Sequence, residues 1–109
     1  MKLSVVVPCF NAAQTIAEQL EALGQQEWSE PWEIIVSDNG STDQSKSIVE
    51  KYQNRLPHLR LIDSRDKKGA AHARNVGAQV AYGELLAFCD ADDKVAPGWV
   101  AAIGNALQS

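Results

Sequence analysis

Leu85-Leu86-Ala87-Phe88-Cys89-Asp90-Ala91-Asp92-Asp93 is the stretch that decides the fold. Leu85 to Phe88 is a short, unbroken apolar run, the pattern of a buried strand. The chain then turns acidic without transition, and Asp90 to Lys94 reads as a turn. A buried strand that ends in clustered carboxylates predicts a parallel sheet with a ligand edge at its strand C-termini.

The sequence on either side repeats the pattern. Upstream, Ala70 to Tyr82 is a helix of small residues, and Leu59 to Ile62 is a strand. Trp32 to Val36 is another strand, followed by the turn Asp38-Asn39-Gly40-Ser41-Thr42-Asp43. Ser41 or Thr42 is placed to cap the next helix, which carries Ile48, Val49 and Tyr52 on its apolar side. Leu3 to Val7 is a strand closed by Pro8, and Ile16, Leu20 and Leu23 recur at helical spacing up to Gly24. Downstream, Pro97 suits the first position of a last helix bearing Val100, Ile103 and Leu107. This strand–helix alternation predicts an α/β, Rossmann-like three-layer sandwich around a parallel sheet.

In such a sheet all strand C-termini share one edge, and ligands bind there. The segments expected on it are Pro8-Cys9-Phe10-Asn11, Ser37 to Ser41, Asp63 to Gly69, and Asp90-Ala91-Asp92-Asp93. Carboxylates as close as Asp90, Asp92 and Asp93 repel one another, and a divalent cation removes that conflict. Hard ions such as Mg²⁺ and Mn²⁺ take oxygen ligands, commonly one or two carboxylates together with substrate phosphates. The competing reading is a solvated acidic turn; its place directly after a buried strand favours a site.

Asp38 and Asn39 offer acceptors, and Asn39 also donors, to a base and ribose; the same residues also make a plain turn. The helix after Gly69 starts at the ligand edge, so its free N–H groups favour an anion there. Arg74, in its early turns, is either a contact to phosphate or carboxylate or a surface arginine. Lys68, in the preceding loop, either screens a diphosphate or is simply solvated, and Lys67 and His72 read chiefly as surface residues.

The 109 residues suit one domain, with 45% hydrophobic and 22% charged residues. No run approaches the roughly 20 apolar residues that span a bilayer. With 14 acidic and 10 basic residues, a formal charge of −4 and no basic stripe, nucleic-acid binding is not expected. Cys9 and Cys89 have neither disulfide-framework nor zinc spacing, and each follows an apolar run as a small core hydrophobe does. A phosphoacceptor domain would need an acidic pair after the first strand, and a dinucleotide-binding domain Gly-x-Gly-x-x-Gly; Pro8-Cys9-Phe10-Asn11 offers neither.

Four segments, in order and spanning nearly the whole chain, resemble the N-terminal half of family 2 glycosyltransferases, which have the GT-A fold. Val5 to Asn11 resembles the family's opening strand and Pro-x-Tyr-Asn turn. Ile34 to Asp43 resembles its Asp-Asp-Gly-Ser segment. Gly69 to Asn75 with Gly77 resembles Gly-x-x-x-Ala-Arg-Asn-x-Gly. Gly83 to Asp93 resembles the strand that delivers Asp-x-Asp. Asn39 stands where many members have a second Asp, and Phe10 where Tyr is common.

The resemblance implies a donor site. Pro8, Phe10, Asn11, Asp38 and Asn39 are then expected to hold the nucleoside, with Lys68 and Arg74 nearby. Asp90 and its neighbour Ala91 meet the ribose and diphosphate, and Asp92, Asp90 and Asp93 hold Mn²⁺ or Mg²⁺. The implied reaction is transfer of a sugar from a nucleoside-diphosphate sugar, of uridine or thymidine type, to a hydroxyl of a glycan or lipid-linked acceptor. The family is generally inverting, and cell-envelope polysaccharide synthesis at the inner face of the membrane, in the cytoplasm, is the setting it suggests. Family catalytic domains run to about twice this length, so residues 1–109 are expected to be a donor-binding half, with the base and acceptor site beyond Ser109. The alternative is a non-catalytic nucleotide-sugar- or metal-binding module. Self-association through an exposed sheet edge is also expected.

Overall fold

The structure is a computed structural model and describes residues 1–109. Four strands and four helices alternate: β1 (Leu3–Cys9), α1 (Ile16–Gly24), β2 (Trp32–Asp38), α2 (Ser45–Tyr52), β3 (Leu59–Asp63), α3 (Ala70–Val80), β4 (Leu85–Phe88) and α4 (Trp99–Gln108). The sheet order is β3-β2-β1-β4, and every pairing is parallel.

This order follows from the apolar content of the strands. β1 lies at the centre because Leu3, Val5, Val6 and Val7 need cover on both faces, and all four are fully buried. Alternate residues point to opposite faces. Leu3, Val5, Val7, Ile34 and Val36 join Ile16, Leu20 and Leu23 of α1, Val49 of α2 and Val100 of α4 in one apolar cluster. Val6 points the other way and packs against Gly77 of α3. The crossovers through α1 and α2 move in one direction across the sheet, while the crossover through α3 reverses it. Connections of one hand therefore place α3 alone on the second face. The predicted three-layer α/β architecture is the observed one.

The reversal puts a topological switch point between β1 and β4, and loops leaving these two strands diverge to open a crevice there. β1 continues through Pro8, which the sequence suggested would close it. Val6 still pairs with Phe88, but β4 ends there. The ring of Pro8 removes an N–H on the side where no partner strand remains, so nothing is lost.

Two helix starts differ from expectation. Neither Ser41 nor Thr42 caps α2; instead Asp43 Oδ1 accepts the Ser45 N–H at 2.9 Å and the Ser45 hydroxyl at 2.6 Å. Pro97 is not the first residue of α4. Pro97 and Gly98 form a turn, Gly98 has φ 80°, and the helix starts at Trp99. Left-handed backbone at Gly98 cannot lie inside a right-handed helix. No helix is long and apolar enough to cross a membrane.

Candidate functional site

A cavity of about 570 Å³ opens at the switch point, within the size range of small-molecule sites. Pro8, Phe10 and Asn11 line it from the end of β1, Asn39 from β2, and Lys68, Gly69, Ala70 and Ala73 from the start of α3. Asp90, Ala91 and Asp92 line it from β4. The loops near residues 38 and 92 thus share one rim.

Asn11 braces the first two loops. Its Oδ1 accepts the Thr42 N–H at 2.8 Å, and its own N–H donates to Ser41 Oγ at 2.9 Å. This clasp holds Asn11 at φ 49°, a backbone state that Asn tolerates better than most residues. Phe10 is half exposed on the cavity wall. An exposed aromatic ring beside polar groups is a stacking surface for a planar base.

Asp38 and Asn39 act differently from one another. Asp38 is buried and does not line the cavity. Its Oδ2 accepts N–H bonds from Gly40 and Ser41, while its buried Oδ1 has no partner. Asn39 is on the wall, yet its amide is heavily engaged. Nδ2 donates to the carbonyls of Ser64 and Lys67, each at 2.8 Å, and Oδ1 accepts the Gly69 N–H at 2.8 Å. Asn39 therefore ties the loop before α3 to β2 and brings the N-terminus of α3 into the cavity.

The acidic turn stands apart from the other aspartates. Carboxylate oxygens of Asp90, Asp92 and Asp93 lie within 4.8 Å of one another, and all three residues are exposed. Asp38, Asp43, Asp63 and Asp66 each accept hydrogen bonds from the protein. The carboxylates of Asp90, Asp92 and Asp93 accept none, and form no ion pair. Three convergent oxygen donors without protein partners suit a hard divalent cation, so the donor set fits Mn²⁺ or Mg²⁺.

Arg74 is not on the main cavity. It lines a neighbouring hollow with Asp90, Asp93, Cys89 and Lys94, and pairs with none of the carboxylates. His72 Nε2 donates to Asp66 Oδ1 at 2.8 Å, and this contact holds the Asp66 carboxyl below its usual range. Burial pushes the Cys89 thiol up to about 12, and the charges of Asp90 and Asp93 add to it. Both cysteines are free.

Sequence reasoning named most of the wall but not Ala70 and Ala73, small residues that line the cavity by leaving room. It also passed over Gln19, which is fully buried against the acidic turn. The signal was present: Gln19 occupies the apolar stripe of α1 three residues after Ile16.

A family model described as glycosyl transferase family 2 matches residues 4–109. The uncharacterized glycosyltransferase YibD of Escherichia coli is 44% identical over 96 residues, covering 88% of this chain. Residues 1–349 of Staphylococcus aureus TarS, solved with UDP-GlcNAc, superpose with TM-score 0.87 at 35% identity over 99% of this chain. The mannosyltransferase PcManGT of Pyrobaculum calidifontis, solved with GDP-Man and Mn²⁺, superposes with TM-score 0.83 at 31% identity over 98% of it. The chain spans 27% of YibD and 31% of each of the two solved chains.

Proposed function

This chain belongs to glycosyl transferase family 2 and has the GT-A fold of its solved neighbours, and from that premise we propose that residues 1–109 are the donor-binding half of a metal-dependent, inverting glycosyltransferase. The observation that carries the reading is the contrast among the aspartates. Asp38, Asp43, Asp63 and Asp66 each accept hydrogen bonds from the protein, while the three at the switch point converge and accept none.

In this reading the base stacks on Phe10, between the β1 and β2 loops held together by Asn11. Asp90 and Ala91 meet the ribose and diphosphate. The start of α3 and Lys68 add N–H dipoles and positive charge on the opposite wall. Asp92, with Asp90 and Asp93, would hold Mn²⁺ or Mg²⁺, which supplies charge neutralisation for the departing nucleoside diphosphate. Pro8 shapes the wall between base and ribose. Asp38 contributes by fixing the turn that carries Asn39. No cavity residue of this chain is assigned as the base that deprotonates the acceptor hydroxyl, and we place that base in the acceptor half of the family's larger domain. Support for a nucleoside-diphosphate sugar comes from TarS, solved with UDP-GlcNAc, and for a divalent ion from PcManGT, solved with Mn²⁺.

The unpaired edge of β4, where Leu86 and Phe88 are exposed, is the proposed self-association surface of this chain. Concentration-independent sedimentation as a monomer would reject that assignment.

The donor reading is tested by thermal shift with UDP, dTDP and GDP, each with Mn²⁺. A nucleotide at about 100 times its Kd adds about 2.7 kcal/mol to stability. UDP or dTDP is expected to raise Tm. Stabilisation by GDP alone would overturn the choice of base, and no shift with any of the three would overturn donor binding.

A further inference from the structure

We propose that Gln19 is a positioning residue that sets the acidic turn in its ion-binding shape before an ion arrives; this rests on the metal reading above. β4 makes its last ladder-type bond when the Cys89 N–H donates to the Val6 carbonyl at 3.2 Å. Beyond it, residues 90–95 have no regular structure. Their main chain makes one bond within the turn, from the Asp93 N–H to the Asp90 carbonyl at 3.3 Å. Both bonds that tie this main chain to the rest of the protein come from Gln19. Its Nε2 donates to the Asp90 carbonyl at 2.8 Å, and its Oε1 accepts the Val95 N–H at 3.1 Å.

One side chain therefore brackets the turn at both ends, and the three carboxylates lie between its two contacts. Gln19 is 0% exposed on a helix face otherwise occupied by Ile16, Leu20 and Leu23. A buried amide there is tolerated only because both of its ends are satisfied. An apolar residue would fill the space equally well but would leave the turn unheld.

Gln26 provides an internal comparison. It lies just past the end of α1 and is half-buried, and its Nε2 donates to the Ala96 carbonyl at 3.0 Å while its Oε1 accepts the Val100 N–H at 3.0 Å. It secures the start of α4 by the same chemistry, but outside the carboxylate turn. A role in stability alone predicts similar behaviour for the two glutamines. A positioning role separates them.

The test titrates the chain with Mn²⁺ alone and follows loss of the free-ion EPR signal, for wild type, Gln19→Met and Gln26→Met. Each variant's fold is checked by circular dichroism. Groups that orient metal ligands typically change affinity 10- to 100-fold when removed. Gln19→Met is expected to weaken Mn²⁺ binding about tenfold or more, and Gln26→Met to leave it within about twofold, even where both lower Tm. Wild-type affinity in folded Gln19→Met, or equal losses in both variants, would overturn the proposal. Absence of Mn²⁺ binding in wild type would instead reject the metal reading, and this inference with it. If Gln19→Met does not fold, amide exchange in metal-free wild type decides. The Val95 N–H is expected to exchange as slowly as the β1 ladder amides, and exchange at the rate of an exposed turn would overturn the proposal.

Discussion

Asn39 Oδ1 accepts the Gly69 N–H at 2.8 Å, a bond that joins the end of β2 to the start of α3 across 30 residues. The same amide donates to the Ser64 and Lys67 carbonyls, so one side chain closes the whole loop between them. Asn39→Asp would keep the acceptor but remove both donors, placing a carboxylate against two carbonyl oxygens. Unsatisfied buried carbonyls cost about 1–3 kcal/mol. The urea midpoint is expected to fall accordingly, and an unchanged midpoint would contradict the role assigned to Asn39.

Glu33 organises the edge of the sheet opposite the cavity. It is buried and accepts from Ser4 Oγ at 2.6 Å, the Tyr82 N–H at 2.7 Å and Arg60 at 3.1 Å, while Arg60 also lies over the Tyr82 ring. Burial pushes its carboxyl up, but these donors together outweigh burial and hold it below its ordinary 4.5. A depressed folded value gives stability that is present above the unfolded value and lost as pH falls through the folded one. Acid titration of unfolding is expected to show this loss below about pH 4.5, and Glu33→Gln to flatten that part of the slope. Glu33→Ala, which strands the buried donors, is expected to cost about 3–5 kcal/mol.

Gly77 marks the closest approach of α3 to β1. A Cβ there would overlap Val6 Cγ1, in the middle of the fully buried central strand. Gly77→Ala is expected to destabilise by about 1–3 kcal/mol despite the higher helix propensity of alanine. A stabilised variant in chemical denaturation would show that the two elements are less tightly apposed.

The thiols should be poor nucleophiles. Burial first, and then neighbouring carboxylates, push Cys9 up to about 11 and Cys89 up to about 12. Thiolate is the reactive form, so iodoacetamide at pH 8 is expected to label the folded chain far more slowly than the urea-unfolded chain. Equal rates would contradict the burial of Cys9 and the partial burial of Cys89.

The fold was legible because apolar runs and acidic turns alternate so regularly. Leu85 to Phe88 is the observed β4, although at the sheet edge it leaves Leu86 and Phe88 exposed rather than buried, and the β1 and β2 runs differ from observation only at their C-terminal ends. What escaped was chemistry that depends on three-dimensional partners. Asp43 rather than Ser41 or Thr42 meets the start of α2, because only the fold shows which oxygen reaches the Ser45 N–H. Pro97 looked like a helix start, but the left-handed Gly98 after it delays the helix. Gathering the site required only parallel strands, so most residues of the cavity wall could be named in advance. Separating wall residues from bracing ones was not possible from sequence: Asp38 and Asn39 are neighbours, yet one is buried beneath the wall and the other forms it.

In the proposed function Asp90, Asp92 and Asp93 hold a divalent ion that joins this chain to a nucleoside diphosphate. Isothermal titration of UDP into wild type and Asp92→Ala, with and without Mn²⁺, tests it most directly. Wild type is expected to bind in a Mn²⁺-dependent way, and Asp92→Ala to lose that binding while still folded. Unchanged affinity in Asp92→Ala, or wild-type binding indifferent to Mn²⁺, would contradict the proposed function.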